Sequence, residues 1–314
     1  LKVSILITCY NFERYIERAI QSLLDQDFEK EYEIIVTDDG SSDRSVQILK
    51  SFAKHQHLTI IINEKNIGVA ATLNNAYKLA KGEYICRFDG DDSWERTFLT
   101  ELSTVLDENA DVAMAYCDCS YIDENNSITN HNVKTLRKTE LVKTNEFKDI
   151  LKSYYITAPT LIFRKSALDN VFPLPTNLKF LDWFISLSVS QTSKSYYLEK
   201  CLSNYRIHSA GMHLTMIRDL NGEETTKKIL DKFLTNDIFS TQEQKDIIYN
   251  HNKFFILQYF GNKMFGDVRR KTLENVKVVG IKTTAKDKTV LKYFFGSLLG
   301  ANYDTLKKWF EKIS

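Results

Sequence analysis

The sequence predicts an α/β fold: a mostly parallel, three-layer sheet over the first two-thirds, followed by an α-helical C-terminal region. Three observations carry that prediction. Strand-length apolar runs alternate with stretches of helical periodicity as far as residue 118, the pattern of βαβ units. Those runs are apolar almost throughout rather than alternating, as strands covered on both faces are. Beyond about residue 215 the strand-like runs stop and helical stripes remain.

In chain order, KVSILITC (2–9) reads as a buried strand, and residues 13–26 as a helix with Ile16, Ala19, Ile20, Leu23 and Leu24 on one face. Strand YEIIVT (32–37), helix 43–54, strand LTIIIN (58–63) and helix 68–80 continue the alternation. Strand YICRF (84–88), helix 94–106 and strand VAMAYCD (112–118) complete the first half. Residues 120–145 turn polar and read as a surface excursion. A second block follows, with a short helix near 146–153, strand TLIF (160–163), helix 165–169, a break at Pro173 and Pro175, helix 182–191 and strand 195–206. The last region contains helices 222–235, 243–260 and 303–313. The expected organisation is therefore an α/β domain over 1–215, in two parts at 1–118 and 119–215, and a helical domain over 216–314.

At 314 residues and 43% hydrophobic, the chain can bury a full core. Its net charge of +1 argues against a dedicated nucleic-acid binder. The charge is unevenly spread: residues 1–215 hold 24 Lys+Arg against 29 Asp+Glu, and residues 216–314 hold 18 against 12. The five cysteines (Cys9, Cys86, Cys117, Cys119, Cys201) are odd in number and sit mostly in apolar runs, as reduced buried thiols of a cytoplasmic protein do. No apolar run approaches the ~20 residues needed to span a bilayer. The chain starts at Leu1 and not at Met, consistent with a preceding segment.

In open parallel sheets, ligands sit at the carboxyl ends of the strands. Here those ends are Thr8-Cys9-Tyr10-Asn11, Thr37-Asp38-Asp39-Gly40-Ser41-Ser42-Asp43, Asn63-Glu64-Lys65-Asn66-Ile67-Gly68 and Asp89-Gly90-Asp91-Asp92. Each alone suits an Asx turn or a helix cap. Adjacent carboxylates do not, because a cap needs one. Neither G-x-x-x-x-G-K-[ST] nor G-x-G-x-x-G follows the first strand, so a bound diphosphate needs another counter-charge. Carboxylates in a D-x-D arrangement are hard oxygen ligands suited to Mg²⁺ or Mn²⁺.

The ordered set SILITCYNFERYIERAIQSLLDQ, YEIIVTDDGSSD, NEKNIGVAATLNNAYKLAKGEYICRFDGDD and FLDWFISL resembles the family-2 glycosyltransferases of GT-A fold, over about residues 1–210. The resemblance implies an inverting transferase of bacterial surface-glycan type, with 1–215 as its catalytic domain, 1–118 the nucleotide-binding half and 119–215 the acceptor-side half. It would move a sugar from a nucleotide-sugar donor, a UDP-sugar first, to a hydroxyl of a glycan or lipid-linked acceptor, with Mn²⁺ or Mg²⁺ as cofactor. It puts Thr8, Tyr10, Asp39 and Asn66 around the nucleoside, Asp89 at the ribose and Asp91 on the metal. Asp38 and Asp92 stand behind these as supporting carboxylates. Asp182 takes the place of the catalytic base, while Arg206 and His208 close over the diphosphate and metal. Two positions depart from the family pattern: Asn74 stands where an Arg is common, a donor-side cation that Arg87 or Arg206 could replace, and Leu181 stands where a Glu commonly precedes the base. On residue type alone, Asp182 also reads as a helix N-cap, and His208 as a histidine bonded to a backbone carbonyl.

Two rival activities share parts of this pattern. A sugar nucleotidyltransferase would carry a Gly-rich, basic loop after the first strand, and TCYNFERY has no glycine. A non-catalytic sugar-nucleotide-binding relative would not need Asp182. From Lys263 onward, 12 basic and 5 acidic residues interleave with VLKYFFGSLLG and LKKWFEKI. That tail reads as a packed helical domain, as a peripheral foot on the inner face of the membrane, or as a dimerisation element.

Overall fold

The computed structural model describes residues 1–133, 143–208, 211, 217 and 219–299. The expected helix at 303–313 lies outside these. The chain divides into two compact units, Leu1–Ile150 with Tyr154–Ser209, and Leu151–Ser153 with Ala210–Ser314.

The first unit is built on a ten-stranded sheet. Its parallel half runs β3 (Leu58–Ile62), β2 (Tyr32–Asp38), β1 (Val3–Cys9), β4 (Tyr84–Asp89). Every residue of β1 is buried, which is why its sequence is apolar without alternation. Helices α1 (Ile16–Leu24), α2 (Ser45–Ser51) and α3 (Val69–Leu79) make the crossovers, and α1 buries the expected stripe of Ile16, Ala19, Ile20 and Leu23.

Beyond β4 the sheet becomes mixed. β9 (Leu161–Arg164) inserts antiparallel between β4 and β6 (Val112–Ile122), and β6 then pairs in parallel with β10 (Lys194–Arg206). Short β5 (Ser93–Trp94) and β8 (Lys143–Thr144) both pair antiparallel with β10. The expected helix 94–106 therefore starts later, as α4 (Phe98–Glu108), because Ser93 and Trp94 are drawn into the sheet opposite Asn204 and Ser203. Trp94 is pinned by its Nε1–H to Pro159 O at 2.7 Å and stacks on Phe98. The polar excursion is not all loop. β7 (Ile128–Val133) forms a hairpin with β6, closed by Asp123, whose Oδ1 accepts from Asn125 N and Ser127 N. The remaining helices of this region are α5 (Phe147–Lys152), α6 (Lys165–Leu168) and α7 (Leu181–Ser190).

The second unit contains α8 (Asn221–Phe233), α9 (Thr241–Gly261), α10 (Phe265–Val279), α11 (Ile281–Thr284) and α12 (Lys288–Leu299). A capping box of Ser240 and Glu243 starts α9. Ile217, Phe255, Ile256, Tyr259, Val268 and Val290 form its core. Among the described residues no helix is long and apolar enough to cross a membrane.

Candidate active site

The carboxyl ends of the parallel strands are stitched into one surface by their own side chains. Asn11 adopts a left-handed conformation (φ 55°), which Asn tolerates. There its Oδ1 accepts from Ser42 N, while its backbone N–H donates to Ser41 Oγ. Phe12 N and Glu13 N donate to Ser45 Oγ and Asp43 Oδ2, so the loops after β1 and β2 are held together. Asp38 is buried and accepts from the backbone and hydroxyl of Ser41, fixing the turn behind this surface. Asp39 is also buried. Its Oδ1 accepts from Asn63 Nδ2 and Ile67 N, and its Oδ2 from Gly68 N, each at 2.9 Å. It thus orders the β3–α3 loop that carries Asn66. Tyr10 and Asn66 are exposed at the rim, and Thr8 lies at the floor.

Parallel register sets Thr8 beside Asp89, and Thr8 Oγ1 donates to Asp89 Oδ1 at 3.2 Å. Burial, together with Asp182 and Asp91, pushes the Asp89 carboxyl up to about 6 against the opposing pull of Arg87 and Thr8. Asp91 Oδ2 lies 3.0 Å from His208 Nε2, and the His208 ring packs against Tyr15 and Phe12. His208 is therefore paired with a carboxylate, not with the backbone carbonyl that was the alternative for it. Asp92 is 1% exposed. Its Oδ1 accepts from Arg206 N, its Oδ2 has no partner, and burial beside Asp91 and Asp89 raises its carboxyl well above the ordinary range.

Arg206 was expected at the donor, but its guanidinium is committed elsewhere. It is 3% exposed, and it donates to Asp91 O at 2.7 Å, Asp123 O at 2.6 Å and Asn126 Oδ1 at 2.7 Å, with its face over the Tyr15 ring. Arg206 fastens the carboxylate loop to the β6–β7 hairpin. Asn74 is similarly occupied, exchanging hydrogen bonds with the backbone of Leu174.

Asp182 occupies the first turn of α7 without capping it, because the N-cap is Phe180 and no side-chain cap bond forms. Its Oδ1 instead accepts from Arg87 Nη1, and Arg87 Nη2 donates to Asp89 Oδ1 at 2.7 Å. One guanidinium thus joins the base expected from sequence to the strand-end carboxylates. Sequence reading offered Arg87 as a donor-side cation and missed its tie to Asp182. Although burial opposes its charge, Asp182 and Asp89 hold the guanidinium above its ordinary value.

The donor set decides whether a divalent cation suits this place. Asp91 and His208 bring a hard oxygen and an imidazole nitrogen to one point. No cluster of three or more ligating side chains forms among the described residues. Such a pair leaves most positions of an octahedral ion to phosphate oxygens and water, as is usual where Mg²⁺-type ions meet nucleotides. The residues fit.

Residues 4–172, more than half the chain, match the profile of Glycosyl transferase family 2. An uncharacterized glycosyltransferase of Nostoc sp. is 26% identical over 276 residues, covering 81% of this chain and 83% of that protein. The poly(ribitol-phosphate) beta-glucosyltransferase of Bacillus spizizenii is 34% identical over 217 residues, which is 64% of this chain but 32% of that longer protein. Among solved structures, Staphylococcus aureus TarS 1–349 in complex with UDP superposes with a TM-score of 0.59 at 20% identity, covering 96% of this chain and 92% of that one.

Proposed function

This chain belongs to glycosyl transferase family 2 and has its GT-A fold, and from that premise we propose that it carries out an inverting transfer. The donor is a UDP-sugar and the acceptor a hydroxyl of a glycan or lipid-linked molecule. Catalysis is assigned to the first unit. The observation that carries the reading is the arrangement of Asp89, Asp91 and Asp182: strand-end carboxylates on one side and a helix-borne carboxylate on the other, joined by Arg87.

In this reading Tyr10 offers its exposed ring to the base, and Asn66 its amide to the base or ribose. Asp39 orders the loop beneath them and keeps lone-pair capacity for an imide N–H. Asp89 receives the ribose. Asp91 and His208 hold Mn²⁺ or Mg²⁺, which when bound would neutralise the charge developing on the leaving diphosphate. Asp182 accepts the acceptor's hydroxyl proton as the new glycosidic bond forms. Arg206, Asp38 and Asp92 set the shape of the floor without touching substrate. The UDP seen with the TarS structure and the glucosyl transfer named for the Bacillus spizizenii relative both favour a UDP-sugar.

The test is a thermal-shift panel of UDP-, GDP- and dTDP-sugars with and without Mn²⁺. A ligand bound only by the folded form adds about 2.7 kcal/mol at a hundred times its dissociation constant. The UDP-sugar should raise the melting temperature in the presence of Mn²⁺, and Asp91→Ala should remove that dependence. Equal shifts by all three nucleotide classes, or none with Mn²⁺ present, would overturn the assignment.

A further inference from the structure

We propose that Arg87 is a positioning residue of the transferase: it acts through Asp182, holding that carboxylate aimed at the acceptor. The inference rests on the base assignment made above and deepens it.

The argument begins with where the guanidinium's donors go. Two other little-exposed arginines of the first unit bond to the backbone. Arg164 donates to Val112 O, Leu106 O and Asn109 O, and Arg206 to Asp91 O and Asp123 O. Arg87 makes no such bond. Its partners among the described residues are two carboxylates, Asp182 and Asp89, and its Nε, though buried, has none. An arginine that served only to tie elements together would spend its donors on carbonyls. This one divides its charge between the two carboxylates that face the reaction.

Chain geometry makes the arrangement specific. Period-two alternation along β4 sets Ile85, Arg87 and Asp89 on one face of the sheet. Arg87 lines a small cavity together with apolar residues that include Leu6, Leu73, Ile85, Phe163, Phe172 and Ile185. The side chain is 11% exposed. The other titratable groups around Asp182 are Asp89, Tyr154 and Tyr205. Burial raises both phenols, so they stay neutral, and Asp89 is a like charge. Among these groups Arg87 alone supplies positive charge to Asp182.

A role exercised through Asp182 has a kinetic signature. Groups that act as one unit are not additive, whereas independent groups multiply their effects. The experiment is a double-mutant cycle on sugar transfer and UDP release with Arg87→Met, Asp182→Asn and the combination. Arg87→Lys serves as the charge-retaining variant. Arg87→Met should lower kcat by about ten- to a hundredfold, the scale on which a displaced catalytic group costs rate. Arg87→Lys should recover part of that loss. In the Asp182→Asn background, removing Arg87 should cost less than about threefold, because its target is already gone. Equal losses in both backgrounds would overturn the proposal and leave Arg87 as a donor or folding residue. Should Arg87→Met fail to fold, Arg87→Lys takes its place in the cycle, and equal losses in both backgrounds overturn the proposal. If Asp182→Asn alone keeps full activity, the base assignment has failed instead, and the two failures are told apart.

Discussion

Gly40→Ala tests whether the turn after β2 sets the nucleotide rim. Gly40 has φ +74°, in the left-handed region, and a Cβ there would stand 2.6 Å from Lys65 C and 2.8 Å from Asn66 N. The first term is intrinsic: a left-handed L-residue costs about 1–2 kcal/mol. The second is steric, and backbone atoms cannot rotate aside as a side-chain tip would. The β3–α3 loop must shift, and with it the N–H groups of Ile67 and Gly68 that Asp39 receives at 2.9 Å. Hydrogen bonds to a charged group are worth about 1.5–3 kcal/mol each, so weakening one of them brings the total to about 3–4 kcal/mol. In a unit of this size that lowers the melting temperature by about 6–15 °C. Calorimetry on the variant and titration with UDP and Mn²⁺ read both consequences, and UDP affinity should fall with stability. A melting temperature within 2 °C of the native protein, with UDP affinity unchanged, would refute the reasoning.

Arg206→Met should leave the carbonyls of Asp91 and Asp123 without their donors, at about 1–3 kcal/mol for each group left buried and unsatisfied. Denaturant unfolding reads that loss, and the affinity for UDP with Mn²⁺ should fall alongside it, since the Asp91 loop is freed. A variant with native stability and weaker UDP binding would return Arg206 to the donor site. In the second unit, burial works against the charge of Glu223, but Arg270, Lys271 and Tyr259 hold its carboxyl down at about 2. A folded-state value below the unfolded one gives stability that is present above about pH 4.3 and is lost as pH falls toward 2, roughly 3 kcal/mol in all. Melting curves of the native protein and Glu223→Gln should converge over that window. Curves that stay parallel would contradict the sign.

The parallel half of the fold was legible because strands buried on both faces leave continuous apolar runs. β7 was not: an edge strand paired to one neighbour can be as polar as Ile128–Val133 and still read as loop. Trp94 and Phe98 misled for the opposite reason. Their stacked rings are spaced four apart, a helical spacing, yet Trp94 belongs to a strand. At the site, carboxylates repeated at strand ends and LDWF marked Asp89, Asp91 and Asp182 in the chain. Arg87 carried no such mark. A lone arginine in an apolar strand has no motif, and its partner Asp182 lies 95 residues away, so tertiary packing alone brings them together. Arg206 shows the same limit from the other side, since a cation at a strand end looks like an anion ligand until its carbonyl partners are seen.

Asp182 is the hinge between a protein that holds a sugar nucleotide and one that transfers the sugar. Turnover of a UDP-sugar by Asp182→Asn, measured beside its affinity for UDP and Mn²⁺, separates them. The expected result is a fall of about 10²–10⁴-fold in transfer, the usual contribution of a general base, with nucleotide affinity nearly intact. Native turnover by that variant would contradict the assignment of the base.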